Sequence, residues 1–283
     1  MQLTPSRLHQ WISVSAYGMT DVGRVRRANE DNFLIDESLG FFALTDGMGG
    51  HDAGEIASAQ ALQTTRDFIQ KTLHHHNHPT PDADDTVPHF ISPVTQIDPD
   101  ATWADSSMPA VQAVYSAVEF ANHEIYARNT ANLHSEGRGM GTTLVGCWQF
   151  VAGAPIVVFN VGDSRAYMQR GGQLTQLTKD QTLYQQAVDM GCTDNMPPRN
   201  LLLQAIGPND TITPEVFTHP TRSGDVLLLC SDGLHGPVSD AEISAILANA
   251  NNKNLDRCCE ELINRANNNG GRDNITVLLA YCW

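Results

Sequence analysis

Basic residues are scarce in this sequence of 283 residues, which has 17 Lys and Arg against 32 Asp and Glu and a formal net charge of −15. Non-specific nucleic-acid binding depends on clustered Lys and Arg, so this composition argues against a nucleic-acid partner. Long apolar runs are also absent, and residues 1–10 lack the charged-then-apolar layout of a signal peptide. We therefore expect a cytoplasmic protein with no membrane partner.

Several motifs that mark other enzyme classes are missing. The six cysteines have neither zinc spacing nor a Cys-x-x-Cys pair, and most lie in apolar segments, so we expect reduced thiols with a structural role. The sequence has no Walker-type glycine loop, no Ser-His-Asp order and no setting for a reactive cysteine. Direct attack by water is therefore favoured over a covalent enzyme intermediate.

The composition, 41% hydrophobic and 17% charged, is that of a globular protein, and we predict one domain over residues 1–283. Two irregular segments interrupt its pattern. A Pro- and His-rich insertion is predicted at about 74–109, and a flap able to cover a site is predicted at about 180–207. The histidine cluster at 74–78 is interpreted as incidental, because the histidines lack supporting partners.

Hydrophobic periodicity predicts both helices and strands. The first helix begins near Glu55 and has one apolar face: Ile56, Ala59, Leu62 and Ile69. Apolar residues at the same spacing over 111–125 predict a second helix, antiparallel to the first. Further helices are predicted at 182–190 and near the carboxyl end, and the strands include 13–19, 33–35 and 156–161. The central strands are expected to form an antiparallel meander.

Four aspartates stand at the ends of predicted strands. Asp46 ends an apolar run and is followed by Gly47, a sequence typical of a tight turn in which the Gly47 carbonyl is a second oxygen ligand. The other three acids are Asp163, Asp232 and Asp273. Strand ends can converge in one sheet or in two packed sheets, and converging carboxylates repel one another unless cations neutralise them.

An oxygen-rich, histidine-poor ligand set predicts a binuclear Mg²⁺ or Mn²⁺ site rather than a zinc site. Two such ions can activate a water molecule for in-line attack on phosphorus. The charged connection at 21–32 contains Arg26, whose planar fork fits two phosphate oxygens. Taken alone, this connection fits either a solvated hairpin loop or an anion clamp.

An ordered set of motifs spans the chain from Asp21 to Leu279. The motifs are Val25-Arg26, Asn29-Glu30-Asp31, Asp46 to His51, Gly141-Thr142-Thr143, Val161 to Arg165, Ser231-Asp232-Gly233 and Arg272 to Thr276. This set resembles the metal-dependent type 2C protein serine/threonine phosphatases, especially their small bacterial members. The resemblance implies an α+β fold, a four-layer α-β-β-α sandwich with two stacked antiparallel sheets flanked by helix pairs. Its metals would lie in a cleft at one end of the sandwich.

The resemblance also implies roles for individual residues. Asp46 would bridge two Mn²⁺ or Mg²⁺ ions, with the Gly47 carbonyl on one of them. Asp232 and Asp273 would complete the protein ligands of this pair. Asp163, together with Asp232, would form a weaker third metal site.

Four further residues would surround the metals. Glu30 and Asp31 would hold metal-bound waters from behind the ligands, and Arg26 would grip the substrate phosphate. Asn274 fits either a hydrogen-bonding support for the site or a turn former. The implied substrates are phosphoserine and phosphothreonine in proteins, and the implied opposing enzyme is a bacterial serine/threonine kinase.

The sequence departs from the family pattern at two places. Met48 stands where some members carry a histidine able to protonate the leaving alkoxide, so metal-bound water becomes the expected proton donor. In the flap, bacterial relatives often have His-Pro-x-Arg-Asn, whereas this chain has Met196-Pro197-Pro198-Arg199-Asn200. Arg165 and Thr142, although part of the motifs, are assigned to the scaffold.

Two other functions share part of this pattern. A binuclear-metal phosphodiesterase or nuclease would use the same metals, but it would benefit from a basic track that this acidic chain hardly supplies. A catalytically silent sensor that binds phosphoproteins would keep the fold without the chemistry. Two results together would exclude both alternatives: chelation abolishes hydrolysis of a phosphopeptide, and the protein does not act on nucleic acid.

Overall fold

The computed structural model describes residues 2–11, 13–49, 53–77, 108–132, 139–151 and 153–283. Its strands are β1 (Leu3–Pro5), β2 (His9–Trp11), β3 (Val14–Asp21), β4 (Asp31–Asp36), β5 (Phe41–Met48), β6 (Gly141–Thr142), β7 (Leu144–Trp148), β8 (Ile156–Val161), β9 (Arg165–Arg170), β10 (Gln173–Gln176), β11 (Glu215–His219), β12 (Val226–Cys230) and β13 (Ile275–Cys282). Its helices are α1 (Ala53–Asn77), α2 (Met108–Ala131), α3 (Leu183–Asp189), α4 (Asp232–His235), α5 (Asp240–Leu247) and α6 (Leu255–Asn268).

The strands form two antiparallel sheets. In the first, the order is β1-β3-β13-β12-β9-β10, and β2 also pairs with β3. In the second, the order is β11-β8-β7-β5-β4, and β6 pairs with the end of β5. The hairpin of β9 and β10 turns at Gly171-Gly172, as the sequence predicts.

Strand β12 shows how the layers stack, because successive side chains of a strand point to opposite faces. Leu227 and Leu229 pack into a core shared with the second sheet, including Phe42 and Leu44 of β5. Leu228, on the other face, belongs to the core beneath α5 and α6. Both faces of the strand are therefore buried, which explains its continuous apolar sequence.

The outer face of the second sheet is covered by α1 and α2, which complete a four-layer α-β-β-α sandwich. The two helices run antiparallel. Phe68 of α1 stacks near Phe120 of α2 with ring centroids 5.5 Å apart, and Arg128 donates to Gln60 at 3.1 Å. The pairing of early α1 residues with late α2 residues confirms the predicted orientation.

The inner face of α1 differs from the predicted one. Ile56 is 39% exposed and Ala59 is also exposed, whereas the buried apolar residues are Ala57, Ala61, Leu62 and Ile69. The prediction was wrong at Ile56 and Ala59. The helix instead faces the sheet with the stripe that contains Ala57 and Ala61, because these small side chains allow a close approach. Leu62 and Ile69 lie on both stripes and are buried as predicted.

Helix α1 continues through Asn77, so the residues at the start of the predicted insertion are helical. Helix α2 begins at Met108, and residues 78–107 of the predicted insertion lie outside the described residues. The short helix α3 lies within the predicted range 182–190, with Thr182 as its N-cap, and Gly191 follows it at φ +76°. Strand β3 is longer than predicted and runs to Asp21.

All six cysteines are free thiols, and all except Cys192 are buried. Burial raises the pKa of the Cys282 thiol to about 12, which makes that thiol inert at neutral pH. In the described ranges of the chain, no helix combines the length and the apolar character required to cross a membrane.

Candidate active site

A cavity of about 470 Å³ opens at one end of the sandwich, where both sheets contribute strand ends. Its lining includes most of the predicted site residues: Arg26, Glu30, Asp46, Gly47, Asp163, Asp232 and Asp273. Asp31 and Asn274 lie behind this lining, as their hydrogen bonds show. The structure therefore brings together acids that are more than 200 positions apart in the sequence.

Asp46 lies within strand β5, and the tight turn predicted after it is absent. The strand runs on to Met48, because Gly47 and Met48 pair with Thr142 and Gly141 of β6. The backbone of Asp46 is fixed on both sides: its N–H donates to Thr143 Oγ1 at 2.9 Å, and its carbonyl accepts from the Thr143 N–H at 2.9 Å. The Asp-Gly pair marks a close approach of backbones here, not a turn.

Gly47 is required by the neighbouring helix. A Cβ on Gly47 would overlap the carbonyl of Gly54, in the first turn of α1, and would lie 2.6 Å from the Glu30 carbonyl oxygen. The Gly47 N–H donates to that same Glu30 carbonyl at 3.2 Å. The start of α1 and the loop before β4 thus both press on the backbone beside Asp46.

Asp31 is a fully buried carboxylate directly opposite Asp46 in the β4–β5 register. Its Oδ2 accepts hydrogen bonds from Ser231 Oγ at 2.8 Å and from Thr276 Oγ1 at 2.7 Å. Its Oδ1 is buried, with no hydrogen-bond partner among the described residues. Burial raises the pKa of Asp31 to about 7, although the two hydroxyl donors oppose this shift.

Three acids that line the cavity, Asp46, Asp163 and Asp232, also have raised pKa values. Burial, followed by repulsion from Asp31, Asp232, Asp163 and Asp273, holds the pKa of Asp46 well above its ordinary value. Burial, and secondarily repulsion from Asp232, raises the pKa of Asp163 to about 7. The pKa of Asp232 is raised as well, by burial and by Asp273. The cavity is therefore an electrostatic site for positive charge.

These donors fit a hard divalent cation. In the part of the chain that the structure describes, no three His, Cys, Asp or Glu side chains already converge on one point as a closed ligand set does. The acidic side chains and the Gly47 carbonyl that line the cavity nevertheless offer only oxygen ligands, and the buried Oδ1 of Asp31 has no hydrogen-bond donor among the described residues. Mg²⁺ and Mn²⁺ prefer such ligands, and zinc prefers nitrogen and sulfur.

Arg26 stands at the edge of the cavity with its guanidinium half exposed. Its Nη2 donates to Asp273 Oδ2 at 2.7 Å, and this hydrogen bond, with the charge of Asp273, raises the pKa of Arg26. A guanidinium has five N–H donors, so the same side chain can hold a carboxylate and present further donors to a phosphate.

Asn274 fixes the loop that carries Arg26. Its Nδ2 donates to the carbonyls of Val22 and Ala28, at 3.0 and 2.9 Å, and its Oδ1 accepts from the Glu30 N–H at 2.9 Å. Of the two roles that the sequence left open, this geometry corresponds to hydrogen-bonding support.

The two motif residues assigned to the scaffold make structural contacts. Arg165 forms a two-point ion pair with Asp180, at 2.7 and 2.6 Å, and also donates to Tyr167 Oη. Thr142 Oγ1 donates to the Asp46 carbonyl at 2.9 Å, so it contacts the backbone of β5 and not the Asp46 carboxylate.

The structure adds residues that sequence reasoning did not assign. Ser231 and Thr276 supply the hydroxyls under Asp31. His235, at the end of α4, donates from Nε2 to the Asp163 carbonyl at 3.0 Å. The first two stand inside quoted motifs, but only the pairing of strands distant in sequence shows what they touch. His235 lies just after such a motif, and its sequence gives no sign of this contact.

The flap also reaches the cavity, through Asn200 and Leu202. Its two ends are tied to the rest of the domain by backbone bonds from Gln181 N to the Gly162 carbonyl and from Ile206 N to the Thr142 carbonyl, both 2.9 Å. Within it, the Arg199 guanidinium lies 4.0 Å from the ring centroid of Tyr184 and donates to its hydroxyl. The flap thus forms one wall of the site.

This chain is similar in sequence and in structure to known protein phosphatases. The sequence profile of protein phosphatase 2C matches residues 24–280. The serine/threonine phosphatase stp of Listeria innocua is 34% identical over 270 residues, which are 92% of each chain. The Mycobacterium tuberculosis phosphatase PstP/Ppp is similar in structure, with a TM-score of 0.71, 32% identity, and coverage of 96% of this chain and 99% of that chain.

A second solved structure is the catalytic domain of the phosphatase PstP in complex with two manganese ions. It superposes with a TM-score of 0.72 and 31% identity, over 95% of this chain and 98% of that chain. The profile match covers most of the sequence, and the identity to the Listeria protein extends over nearly all of it. This chain belongs to the protein phosphatase 2C family.

Proposed function

We propose that this chain hydrolyses phosphoserine and phosphothreonine in proteins, using two Mn²⁺ or Mg²⁺ ions and a water molecule as nucleophile. The observation that carries the proposal is the convergence of Asp46, Asp232 and Asp273 with Arg26 around one open cavity. Enzyme class follows from family membership, and the relative with two manganese ions supports the choice of metal. When bound, such ions supply an activated water and stabilise charge on the phosphoryl oxygens.

Each residue has a defined task in this proposal. Asp46, the Gly47 carbonyl, Asp232 and Asp273 hold the metal pair, and Asp163 with Asp232 holds a weaker third ion. The contacts of this backbone with β6 and α1 hold Asp46 and Gly47 in place before a metal binds, so metal binding requires little further ordering of the backbone.

The remaining site residues act on water and phosphate. Glu30 and Asp31 orient water from behind the ligands, and the unpartnered Oδ1 of Asp31 is an acceptor available for this. Arg26 orients the phosphate by its remaining N–H groups while it stays anchored to Asp273. Asn274 acts one step further back, by holding the loop of Arg26.

The biological partner belongs to the same proposal. The curated relatives carry names of serine/threonine phosphatases, so phosphorylated proteins are the substrate class. We infer in addition that the chain opposes a bacterial serine/threonine kinase, since each phosphorylated serine or threonine in a protein requires such an enzyme to form it.

The deciding experiment measures the initial rate of phosphate release from a phosphothreonine peptide with Mn²⁺, with Mg²⁺ and with chelator. We expect phosphate release that depends on metal and is abolished by chelation. In Asp232→Ala the rate should fall at least about 100-fold, because mutating a residue that only supports a metal ligand already lowers affinity or activity about 10- to 100-fold. Asp256→Ala, at an exposed acid of α6, is the control and should behave as wild type.

Other outcomes separate the alternatives. Release from a phosphodiester but not from the phosphopeptide would favour the phosphodiesterase. Binding of the phosphopeptide without release under any metal would favour the silent sensor. Equal rates in Asp232→Ala and wild type would contradict the metal site as assigned.

A further inference from the structure

A second cavity, of about 340 Å³, adjoins the catalytic one and shares Asp232 and Asp273 with it. Its other lining residues are Gly233, Gly236, Pro237, Asn269, Gly271 and Arg272. A peptide bound with its phosphoryl group in the catalytic cavity has neighbouring residues within reach of this second space, because each residue spans up to about 3.5 Å. The second cavity, here called the arginine cavity, is therefore placed to receive a flanking side chain.

One arginine lines the arginine cavity, and a second contacts a glycine of its wall. Arg272 lines it directly, and Arg24 lies against the adjacent turn, where its N–H donates to the Gly271 carbonyl at 2.7 Å. The Arg24 Cγ is so close that a Cβ on Gly271 would lie 2.9 Å from it. Both side chains are exposed, and Arg27 extends the basic surface along the same loop.

Two carboxylates, Asp232 and Asp273, also line the arginine cavity, and Asp273 is paired with Arg26. Among the described residues, no carboxylate pairs with Arg24, Arg27 or Arg272, and the one polar side-chain partner found is Asn268 Oδ1, 3.1 Å from Arg24 Nη2. Six other arginines are paired with acids, namely Arg7, Arg26, Arg66, Arg165, Arg170 and Arg265, whereas Arg128, Arg199, Arg222 and Arg257 have no ion pair with a described acid. In a chain of net charge −15, a basic corner beside the catalytic cavity is a local reversal of sign.

The loop that carries Arg24 is held in place before any ligand binds. The Gly23 N–H donates to Asp21 Oδ1 at 2.9 Å, and Asp21 in turn accepts from Asn267 Nδ2 at 3.0 Å. Asn274 ties the same loop at Val22 and Ala28. Because the backbone at Arg24 is already fixed, mainly its side chain has to be ordered when an anion binds.

We propose that the arginine cavity binds an anionic group of the substrate, a carboxylate or a second phosphate on a residue close in sequence to the phosphoresidue. Arg272 and Arg24 contact this group and set substrate preference. The proposal rests on the proposed function, because it places the scissile phosphate in the catalytic cavity. The planar guanidinium fork matches both carboxylate and phosphate oxygens, so the two sources of negative charge share one recognition chemistry.

The test compares kcat/KM on phosphothreonine peptides that differ at one residue, at each of three positions on either side. That residue is Gln, Glu or phosphoserine. We expect the Glu and phosphoserine peptides to be preferred at one or more positions, and this advantage to fall about two- to fivefold in Arg272→Gln and in Arg24→Gln. A greater loss for phosphoserine than for Glu would identify a second phosphate as the natural ligand.

Two controls isolate the effect. The Gln peptide should be hydrolysed at the same rate by wild type and by both variants. Arg257→Gln, at an exposed arginine of α6 with no ion pair to a described acid, should leave every rate unchanged. The preference should shrink at about 1 M salt, where screening reduces interactions between exposed charges. Equal treatment of Gln, Glu and phosphoserine peptides by wild type would overturn the proposal, as would an equal loss on all peptides in the variants.

A binding measurement separates this proposal from the catalytic one. Peptides that carry a phosphonate analogue of phosphoserine cannot be hydrolysed, so their affinity is readable by fluorescence anisotropy whether or not the chain is an enzyme. Tighter binding of the Glu peptide than of the Gln peptide, lost in Arg272→Gln, would support the arginine cavity even without turnover. Identical affinities for the Glu and Gln peptides would overturn the arginine-cavity proposal. Hydrolysis of phosphopeptide would still support the proposed function in that case.

Discussion

Asp31 is held by two hydroxyls on one oxygen, and its proton affinity depends on them. Thr276→Val removes the 2.7 Å donor at nearly constant volume. Hydrogen bonds to charged groups contribute about 1.5–3 kcal/mol, which corresponds to about one to two pKa units. We expect the pKa of Asp31 in the metal-free protein to rise above its value of about 7, and the acid limb of the pH profile of Mn²⁺ affinity, measured by titration calorimetry, to move upward by about one unit.

The control for this prediction is Thr178→Val. Thr178 is a buried threonine whose Oγ1 accepts from the Ala166 N–H, away from the acids. Its loss can lower stability, but it should leave the acid limb where it is. A profile that shifts equally in both variants would show that the effect is general loosening and not the charge of Asp31.

Met48 lines the catalytic cavity at the place where some relatives have a histidine. Met48→His should supply a proton donor to the leaving oxygen and raise the rate on poor leaving groups by roughly tenfold or more. The measurement is the dependence of kcat on leaving-group pKa over a series of phosphate esters, which should become shallower. Met48→Leu is the control, and an unchanged slope in Met48→His would count against metal-bound water as the natural donor.

At the scale of elements, the first turn of α1 presses on the metal-binding backbone. A Cβ on Gly54 would lie 2.8 Å from Glu30 Cδ and 2.9 Å from the carbonyl carbon of Gly47. Helix propensity favours Ala over Gly by about 1 kcal/mol, but this contact involves backbone that cannot yield cheaply. Crowding should therefore outweigh propensity.

Gly54→Ala should displace Glu30 and the Gly47 carbonyl and weaken Mn²⁺ affinity about 10- to 100-fold. Titration calorimetry measures the affinity, and thermal unfolding in chelator measures stability independently. Ala59→Ser, at an exposed position of the same helix, is the control. If Gly54→Ala raised the melting temperature and kept wild-type metal affinity, α1 would have no influence on the site.

A second element, α5, shows how local sequence can be sufficient by itself. Ser239 and Glu242 form a capping box, and hydrogen bonds from Ser239 and Arg265 lower the pKa of Glu242 to about 2. The Ser239 N-cap is predicted from sequence, because capping involves residues only three positions apart. No such local rule identifies the partners of Asp31.

For the whole molecule, the raised pKa values of the acids make metal-free stability depend on pH. Asp31 and Asp163 have ordinary pKa values of 3.8 that the fold raises to about 7, so the folded protein holds protons that the unfolded chain releases. Their contribution to stability is full below pH 3.8 and is lost as pH rises through about 7. His235 works in the opposite sense, since burial lowers its pKa from 6.5 to about 4.

The carboxylates lose their stabilising contribution as pH rises, and His235 changes stability in the opposite direction. Because the carboxylates outnumber the single imidazole, the melting temperature in chelator should fall by roughly 5–10 °C between about pH 5 and about pH 8. Mn²⁺ should reverse this trend and stabilise most at the higher pH, because metal ligands bind in their deprotonated form. Scanning calorimetry with and without Mn²⁺ provides the measurement. A metal-free melting temperature that rises steadily over this range would contradict the electrostatic account of the cavity.

Much of the fold and of the site was predictable from the sequence. The family is confirmed, because its ordered motifs can be recognised in the sequence, and so is the four-layer α-β-β-α sandwich that the resemblance implied. The individual roles of the acids stay predictions. The helix face at Ile56 and the turn at Asp46 were wrong for a common reason: packing against a neighbouring element, which overrides local pattern, decided both.

By itself the sequence determined which chemical groups are present and in what order, since hard-metal ligands and strand ends are properties of residues and their immediate neighbours. Only the tertiary structure decided which groups meet. Ser231 reaches Asp31 across 200 positions, and the Arg24 N–H reaches the Gly271 carbonyl, next to Arg272. The first contact joins the two sheets, since Asp31 is on β4 and Ser231 follows β12, and the second follows from the pairing of β3 with β13. Strand register and sheet packing depend on the whole core, which no local stretch of sequence contains.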